Sequence, residues 1–267
     1  MQAWTNALNG GGTNTMAEKT FPVRGNHDFS DLAGWKSYFG PSGKYDFPTI
    51  VARIGGSNYS EMAGAERATY SFDYDNSHFV GIDVNGDVDA MASAVYRADG
   101  TGWLDKDLAA AEARGLTHAF LYWHGPIWAI NGHCCPTAPA DLIKVLNKHP
   151  IVSATFHGHE HVLGYAHMDA ASTYPAITHE FEQFVVGGAG AGLYSCQSGR
   201  SDWCNASYGI SMVDVNGNSY TVTTYTYNSS SKTVSLYKTQ TFSKTGAPPS
   251  APPAAPRNLR LRLKFPL

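Results

Sequence analysis

The sequence contains no apolar run long enough to cross a membrane, and no leader follows Met1. It has no Cys-x-x-Cys pair, so Cys134, Cys135, Cys196 and Cys204 do not read as a structural zinc site. Charge is scarce. Asp, Glu, Lys and Arg make up 15% of 267 residues and the net charge is −3. That balance excludes a strong pull toward nucleic acid or anionic lipid, so neither is expected as a partner. No internal repeat is present. The apolar content of 43% and aromatic content of 12% exclude disorder, and the length suffices for one large core or a domain with an appendage. The opening Met1-Gln2-Ala3-Trp4 reads as the middle of a helix without a start signal, so the natural chain is expected to begin upstream.

The cysteines carry information by position. Cys196 and Cys204 flank a polar loop, "CQSGRSDWC", that a disulfide could close. Cys134 and Cys135 are adjacent, and either form a vicinal bridge or pair elsewhere. The surroundings are rich in Ser, Thr, Asn, Gly and Tyr, which favours a secreted or periplasmic setting over four free thiols in a cytosol. Sequons at Asn58, Asn205 and Asn228 are compatible with that setting.

Secondary structure follows from periodicity and turn residues. "TFPVRGNHD" reads as a short buried strand, Phe21 to Val23, ending in a polar turn. "ATYSFDYDNSHFVGIDV" reads as two strands around Asp75-Asn76. Trp103, Leu104, Leu108 and Ala111 recur at helical spacing and Gly115 closes that helix. "THAFLYWHGP" is a strand, "ADLIKVLNKHP" a helix, and "IVSATFHGHEH" the next strand. "FEQFVVGGAGAGLY" is a strand running into a glycine turn, and hairpins follow with Asn216-Gly217 as one turn. Alternating helix and strand, then strands alone, imply a layered α/β fold with an antiparallel half. Residues 246–256 form a proline-rich linker, and 257–267 read as the start of a further module, which leaves 1–245 as the main domain.

Three strand ends carry polar groups: Asn26-His27-Asp28, His124-Gly125-Pro126 and Gly158-His159-Glu160-His161. Sites in open α/β sheets gather at the carboxyl ends of strands, and imidazole nitrogen with amide oxygen suits zinc, iron or manganese. Residues two apart on a strand point the same way about 6.6 Å apart. Metals of a binuclear site lie roughly 3.5–4 Å apart. On that spacing His159 and His161 would each serve one ion of a pair. His157 reads as a packing residue or as support for a ligand. His78, His118 and His149 read as strand-edge or loop residues, Tyr122 and Trp123 as core, and Tyr165 and Trp128 as cleft lining.

"VRGNHD", "LYWHGPIW", "GHEHVLGY" and "FVVGGAGAGLY", in that order, resemble the calcineurin-like metallophosphoesterases, nearest to the purple and tartrate-resistant acid phosphatase branch. The resemblance runs from the beginning of the chain to about Tyr227. It implies a four-layer α/β/β/α sandwich of two mixed sheets, here N-terminally truncated. It implies hydrolysis of phosphate monoesters, and less readily diesters, by a metal-activated hydroxide. Two metal ions from Fe, Zn or Mn are implied for the intact family. Asn26, His124 and His159 would bind the second metal and His161 the first. His27 would hydrogen-bond the phosphate or protonate the leaving oxygen, and Asp28 would orient it. The family's Asp-x-His and Gly-Asp-x-x-Asp motifs belong upstream of GNHD, where this chain has no aspartate. "NGDVDA" (85–90) has the wrong spacing and reads as a turn. The chain is therefore expected to bind at most one divalent ion and to turn over phosphate esters poorly. The alternative is a non-catalytic metal- or ligand-binding module on the same scaffold.

Overall fold

The structure is a computed structural model, and it describes residues 16–28, 31–41, 45–84, 92–133, 138–171 and 173–244. The expectations placed on 85–90, on Cys134 and Cys135, and on the linker and tail at 246–267 lie outside the described residues.

After a 3-10 turn at Met16–Lys19 come helices α1 (Leu32–Phe39) and α2 (Phe47–Ile54). Each starts where an aspartate stands. Asp31 Oδ1 accepts from Gly34 N at 2.8 Å, and Asp46 Oδ2 from Thr49 N at 3.2 Å. Such caps contribute about 1 kcal/mol apiece. Strands β1 (Ser57–Glu61), β2 (Tyr70–Tyr74) and β3 (Ser77–Gly81) follow, then α3 (Ser93–Tyr96), α4 (Trp103–Ala113), β4 (His118–Trp123) and α5 (Ala140–Lys148). The chain continues through β5 (Val152–His157), β6 (Leu163–Met168), β7 (Phe181–Val186) and β8 (Trp203–Asn205). It then forms β9 (Tyr208–Asn216), β10 (Ser219–Asn228) and β11 (Thr233–Ser243).

Eight strands form one sheet in the order β1-β2-β3-β4-β5-β7-β6-β8, and three form a second in the order β11-β10-β9. In the large sheet β3, β4, β5 and β7 run parallel, so their carboxyl ends meet along one rim. The outer pairings are antiparallel, which makes the sheet mixed. The second sheet differs from the expectation of two mixed sheets. It is antiparallel throughout, because short hairpins are its connections.

The layers follow from alternation along the strands. Val80, Leu121 and Val185 face Leu104, Leu108, Leu142 and Leu146 of α4 and α5. Phe120, Ala154, Tyr165 and Phe184 face Tyr220 and Val222 of the second sheet. Toward the β2 end that same face is closed by an aromatic cluster of Trp35, Phe39, Phe47, Tyr70 and Phe72 from α1, α2 and β2. Phe21 packs on Phe72 in a tilted arrangement with centroids 4.3 Å apart, and Pro22 O accepts from the Tyr70 hydroxyl at 2.8 Å. The expected strand at Phe21–Val23 is instead a segment without ladder partners among the described residues, held by these aromatic contacts.

Three histidines expected at strand edges or in loops are buried. His78 lies between two carboxylates, with Nδ1 2.6 Å from Asp73 Oδ1 and Nε2 2.8 Å from Asp107 Oδ2. His149 is held likewise, by Asp105 at 2.6 Å and Glu112 at 2.9 Å. His118 bonds Ser153 Oγ at 2.9 Å and Gly217 O at 3.0 Å. Tyr165 is also buried, donating to Glu182 Oε2 at 2.6 Å between the sheets and not in a cleft.

Burial opposes the charged form of His78, yet Asp107 and Asp73 outweigh it and raise its pKa above the ordinary 6.5. Burial likewise opposes ionised Asp73, and bonds from His78, Arg114 and Asn58 hold its pKa below 3.8. The His78 contribution to stability is complete below pH 6.5 and declines as pH rises through its raised value. The Asp73 contribution is present above pH 3.8 and is lost as pH falls through its lowered value. Stability from this pair is thus greatest between pH 3.8 and 6.5. Denaturant midpoints measured from pH 5 to 9 are expected to fall with pH (about 6.5 being where the decline begins), and His78→Gln should flatten that slope. An unchanged slope in the variant would remove the assignment.

Candidate metal and phosphate site

The site lies on the rim where the parallel strands end. The 25–28 turn, His124 after β4, and the 158–161 turn after β5 come together there. Asn26 Oδ1 is 2.9 Å from His124 Nε2, and His159 Nδ1 is 3.1 Å from the same nitrogen. The two imidazoles meet edge to face, with centroids 5.0 Å apart.

Each segment is placed by its neighbours. Arg24, itself buried, pairs with Asp83 just beyond β3 and anchors the turn that follows. Asp28 closes that turn, accepting from Gly25 N through Oδ2 at 3.2 Å while its own N–H donates to Gly25 O at 2.9 Å. A Cβ at position 25 would stand 2.8 Å from His124 Cε1, so glycine there leaves room for the imidazole and any larger residue would displace it. Gly158 N donates to His124 O at 2.9 Å, which fixes the two strand ends together.

The histidine-rich turn departs from the strand expected for it. β5 stops at His157. Glu160 N then bonds Gly158 O, and Val162 N bonds Glu160 O, each at 2.7 Å, so the chain folds back within five residues. His159 takes a left-handed φ of 61°, a conformation that a residue with a β-carbon adopts at a cost. The two-residue spacing rule therefore does not govern His159 and His161. His159 joins Asn26 and His124. His161 has Nδ1 2.7 Å from Gly192 O and its ring stacked on Tyr194 at 4.4 Å, while it stays near enough to His124 to act on that ring's pKa. His157 packs against Trp123 at 4.6 Å, with Nδ1 3.2 Å from Trp123 O. Burial pushes its pKa down to about 3, which keeps it neutral.

Electrostatics make His124 a neutral donor. Burial and the neighbouring His159 lower its pKa to about 4, against a smaller raising effect of Asp28, and His27 and His161 lower it further. His27 and Asp28 are exposed beside it. His124 Nε2 carries at most one proton, and Asn26 Oδ1 and His159 Nδ1 compete for it. A cation would satisfy all three lone pairs at once. Ligands about 2.0–2.1 Å from one metal stand roughly 3 Å apart, which the two observed separations fit. Among the described residues no three His, Cys, Asp or Glu side chains converge in this way, and the third donor here is an amide oxygen.

Three features had no sequence reading. Glu160 is fully buried, and its carboxylate accepts from Ile130 N at 2.7 Å and Asn131 N at 3.2 Å, tying the loop after His124 to the histidine turn. A lone carboxylate between two apolar-flanked histidines is its only sequence signal. His133 lies 5.4 Å from the His159 ring. The Tyr194 ring meets those of both His133 and His161; it ends the glycine-rich stretch, which by itself assigns it no role.

The glycine turn after β7 packs directly on the site. A Cβ on Gly187 would lie 2.0 Å from Glu160 O. The turn ends in the Cys196–Cys204 disulfide, which joins it to β8. Within the disulfide loop Arg200 Nε donates to Ala129 O at 2.6 Å, and its guanidinium covers Trp128 at 4.8 Å. Replacing both cysteines, Cys196→Ser with Cys204→Ser, is expected to lower unfolding free energy by roughly 2–3 kcal/mol for so short a loop. A denaturant midpoint equal to that of the parent would refute this.

The model of the calcineurin-like phosphoesterase family matches residues 3–163. Comparison with curated proteins gives no match. Among solved structures, purple acid phosphatase PPD1 from yellow lupin (Lupinus luteus) seeds is 18% identical with a TM-score of 0.53, covering 79% of this chain and 38% of that one. PhoD is 11% identical with a TM-score of 0.46, covering 68% and 43%. GAP50, the anchor in the inner membrane complex of Plasmodium, is 10% identical with a TM-score of 0.44, covering 84% and 75%. At such identities only the lupin protein bears on this chain, and it bears on the fold alone. The chain spans under two fifths of that protein's length. The family match covers more than half of the sequence and takes in all three loops that meet at His124, so the chain belongs to the calcineurin-like phosphoesterases.

Proposed function

We propose that the chain carries part of a metal-dependent phosphoesterase site that acts on phosphate monoesters in preference to diesters. Asn26 Oδ1, His124 Nε2 and His159 Nδ1 would hold one ion of zinc, iron or manganese, and His161 alone would remain at the position of the other ion of the family's pair. The observation that carries this reading is the meeting of those three lone-pair atoms, at 2.9 and 3.1 Å, on the carboxyl rim of the sheet. A cation bound there would supply Lewis-acid polarisation of a phosphoryl oxygen. His27, exposed beside the donors, would give a proton to the leaving oxygen. Asp28 would orient it from the same turn.

The donor set sets a limit. It is neutral, made of one amide oxygen and two imidazoles. The reading is therefore of a chain that holds at most one ion and hydrolyses esters slowly. Elemental analysis of protein loaded with zinc or manganese and then desalted is expected to give one ion per chain or fewer. Two tightly held ions would overturn this. The neutral donor set also favours a second reading, a binding module without turnover. Hydrolysis of a chromogenic phosphate monoester with added zinc, iron or manganese separates the two. The Cys196–Cys204 bridge supports a secreted or periplasmic location. Among the described residues no helix is long and apolar enough to cross a membrane.

A further inference from the structure

We infer that Tyr194 is a positioning residue for His161, fixing which ring nitrogen of that histidine is presented to the site; this rests on the reading of His161 as a metal donor. His161 Nδ1 lies 2.7 Å from Gly192 O. A carbonyl only accepts, so in the neutral imidazole Nδ1 carries the proton and Nε2 keeps its lone pair. A carbonyl partner on one ring nitrogen is how proteins set the tautomer of a ligating histidine. One bond does not hold a half-exposed ring, which turns over by rotation about its side-chain torsions. The Tyr194 ring lies flat on it, with centroids 4.4 Å apart and 12° between planes. The Tyr194 ring also meets that of His133, with centroids 4.3 Å apart. Its own N–H donates to His161 O at 3.1 Å, so backbone and ring grip the same residue.

The grip is closed into a circuit. From His161 the chain enters β6, which pairs with β8 through Gly164 and Cys204. Cys204 bridges to Cys196, two residues beyond Tyr194. The circuit returns to His161 through the stack. It is independent of Asn26, His124 and His159, and the stack needs the aromatic ring but not the hydroxyl.

Long-range proton–nitrogen correlation spectra of the metal-free protein test the inference, since they report which imidazole nitrogen bears hydrogen. The parent and Tyr194→Phe are expected to show His161 in the Nδ1–H form, with ring protons shifted upfield by the stacked ring. Tyr194→Ala is expected to lose the upfield shift and to show a mixture of tautomers. An Nε2–H form in the parent would overturn the inference, and so would a Tyr194→Ala spectrum that keeps His161 in the single Nδ1–H form. If Tyr194→Ala does not fold, the parent and Tyr194→Phe spectra still decide the tautomer and the shift. The measurement uses neither metal nor substrate. Failure to bind zinc would thus remove the proposed function and leave this result standing, and the reverse also holds.

Discussion

Replacing His124 by alanine is expected to weaken zinc binding by roughly 100-fold or more, read by competition with a chromogenic chelator. Losing a residue that merely supports a ligand typically costs about 10–100-fold, and losing a ligand costs at least as much. His124 is the centre of the donor group, because both short contacts end on its Nε2. Alanine leaves Asn26 and His159 without the atom they share. The fold should survive the change. Trp123 keeps β4 in the core, and the bond from Gly158 N goes to the His124 main-chain oxygen, which alanine retains. Gly25→Ala should act in the same direction with smaller effect, since its Cβ would enter the space of the imidazole. Parent-like affinity in His124→Ala would remove the three-donor assignment, provided its thermal transition stays cooperative.

The second large effect is on stability. Glu160→Ala is expected to lower unfolding free energy by roughly 2–5 kcal/mol, because each buried donor left without a partner costs about 1–3 kcal/mol. The carboxylate receives the N–H groups of Ile130 and Asn131 in a fully buried position. Alanine offers them nothing and leaves space where the side chain was. Glu160→Gln keeps one carbonyl oxygen and should lose less. Amide hydrogen exchange at Ile130 and Asn131 should accelerate in both variants, more in alanine. A loss under about 1 kcal/mol in Glu160→Ala would mean that the loop does not depend on this carboxylate.

The parts of the fold set by local pattern were legible. The spacing of Trp103, Leu104, Leu108 and Ala111 matches α4, and the turn at Asp75-Asn76 separates β2 from β3. Gly115 follows the helix with a φ of 76°, as a terminating glycine should. The loop between Cys196 and Cys204 is closed by a disulfide, one of the pairings that the sequence left open. Failures came where partners distant in sequence decide the outcome. Phe21–Val23 looks like a strand, but its ladder would need neighbours that the described chain does not put there, and aromatic packing holds it instead. His78 and His149 looked peripheral because the carboxylates around them come mostly from α4, up to 44 residues away. At the site, strand periodicity was extended past the point where β5 ends. The positive φ of His159 breaks the alternation that would have aligned it with His161. Tyr194 was invisible because its role depends on a ring contact across 33 residues (194 minus 161).

The tip of the β9–β10 hairpin lets the two sheets report on each other. Gly217 O accepts from His118 Nε2 at 3.0 Å and from Asn76 Nδ2 at 2.8 Å, both outside the second sheet. Neither sheet can slide over the other without breaking this clasp. Opening of the hairpin and melting of the central strands should accordingly form one cooperative event, so that tryptophan fluorescence and far-ultraviolet dichroism trace a single coincident transition.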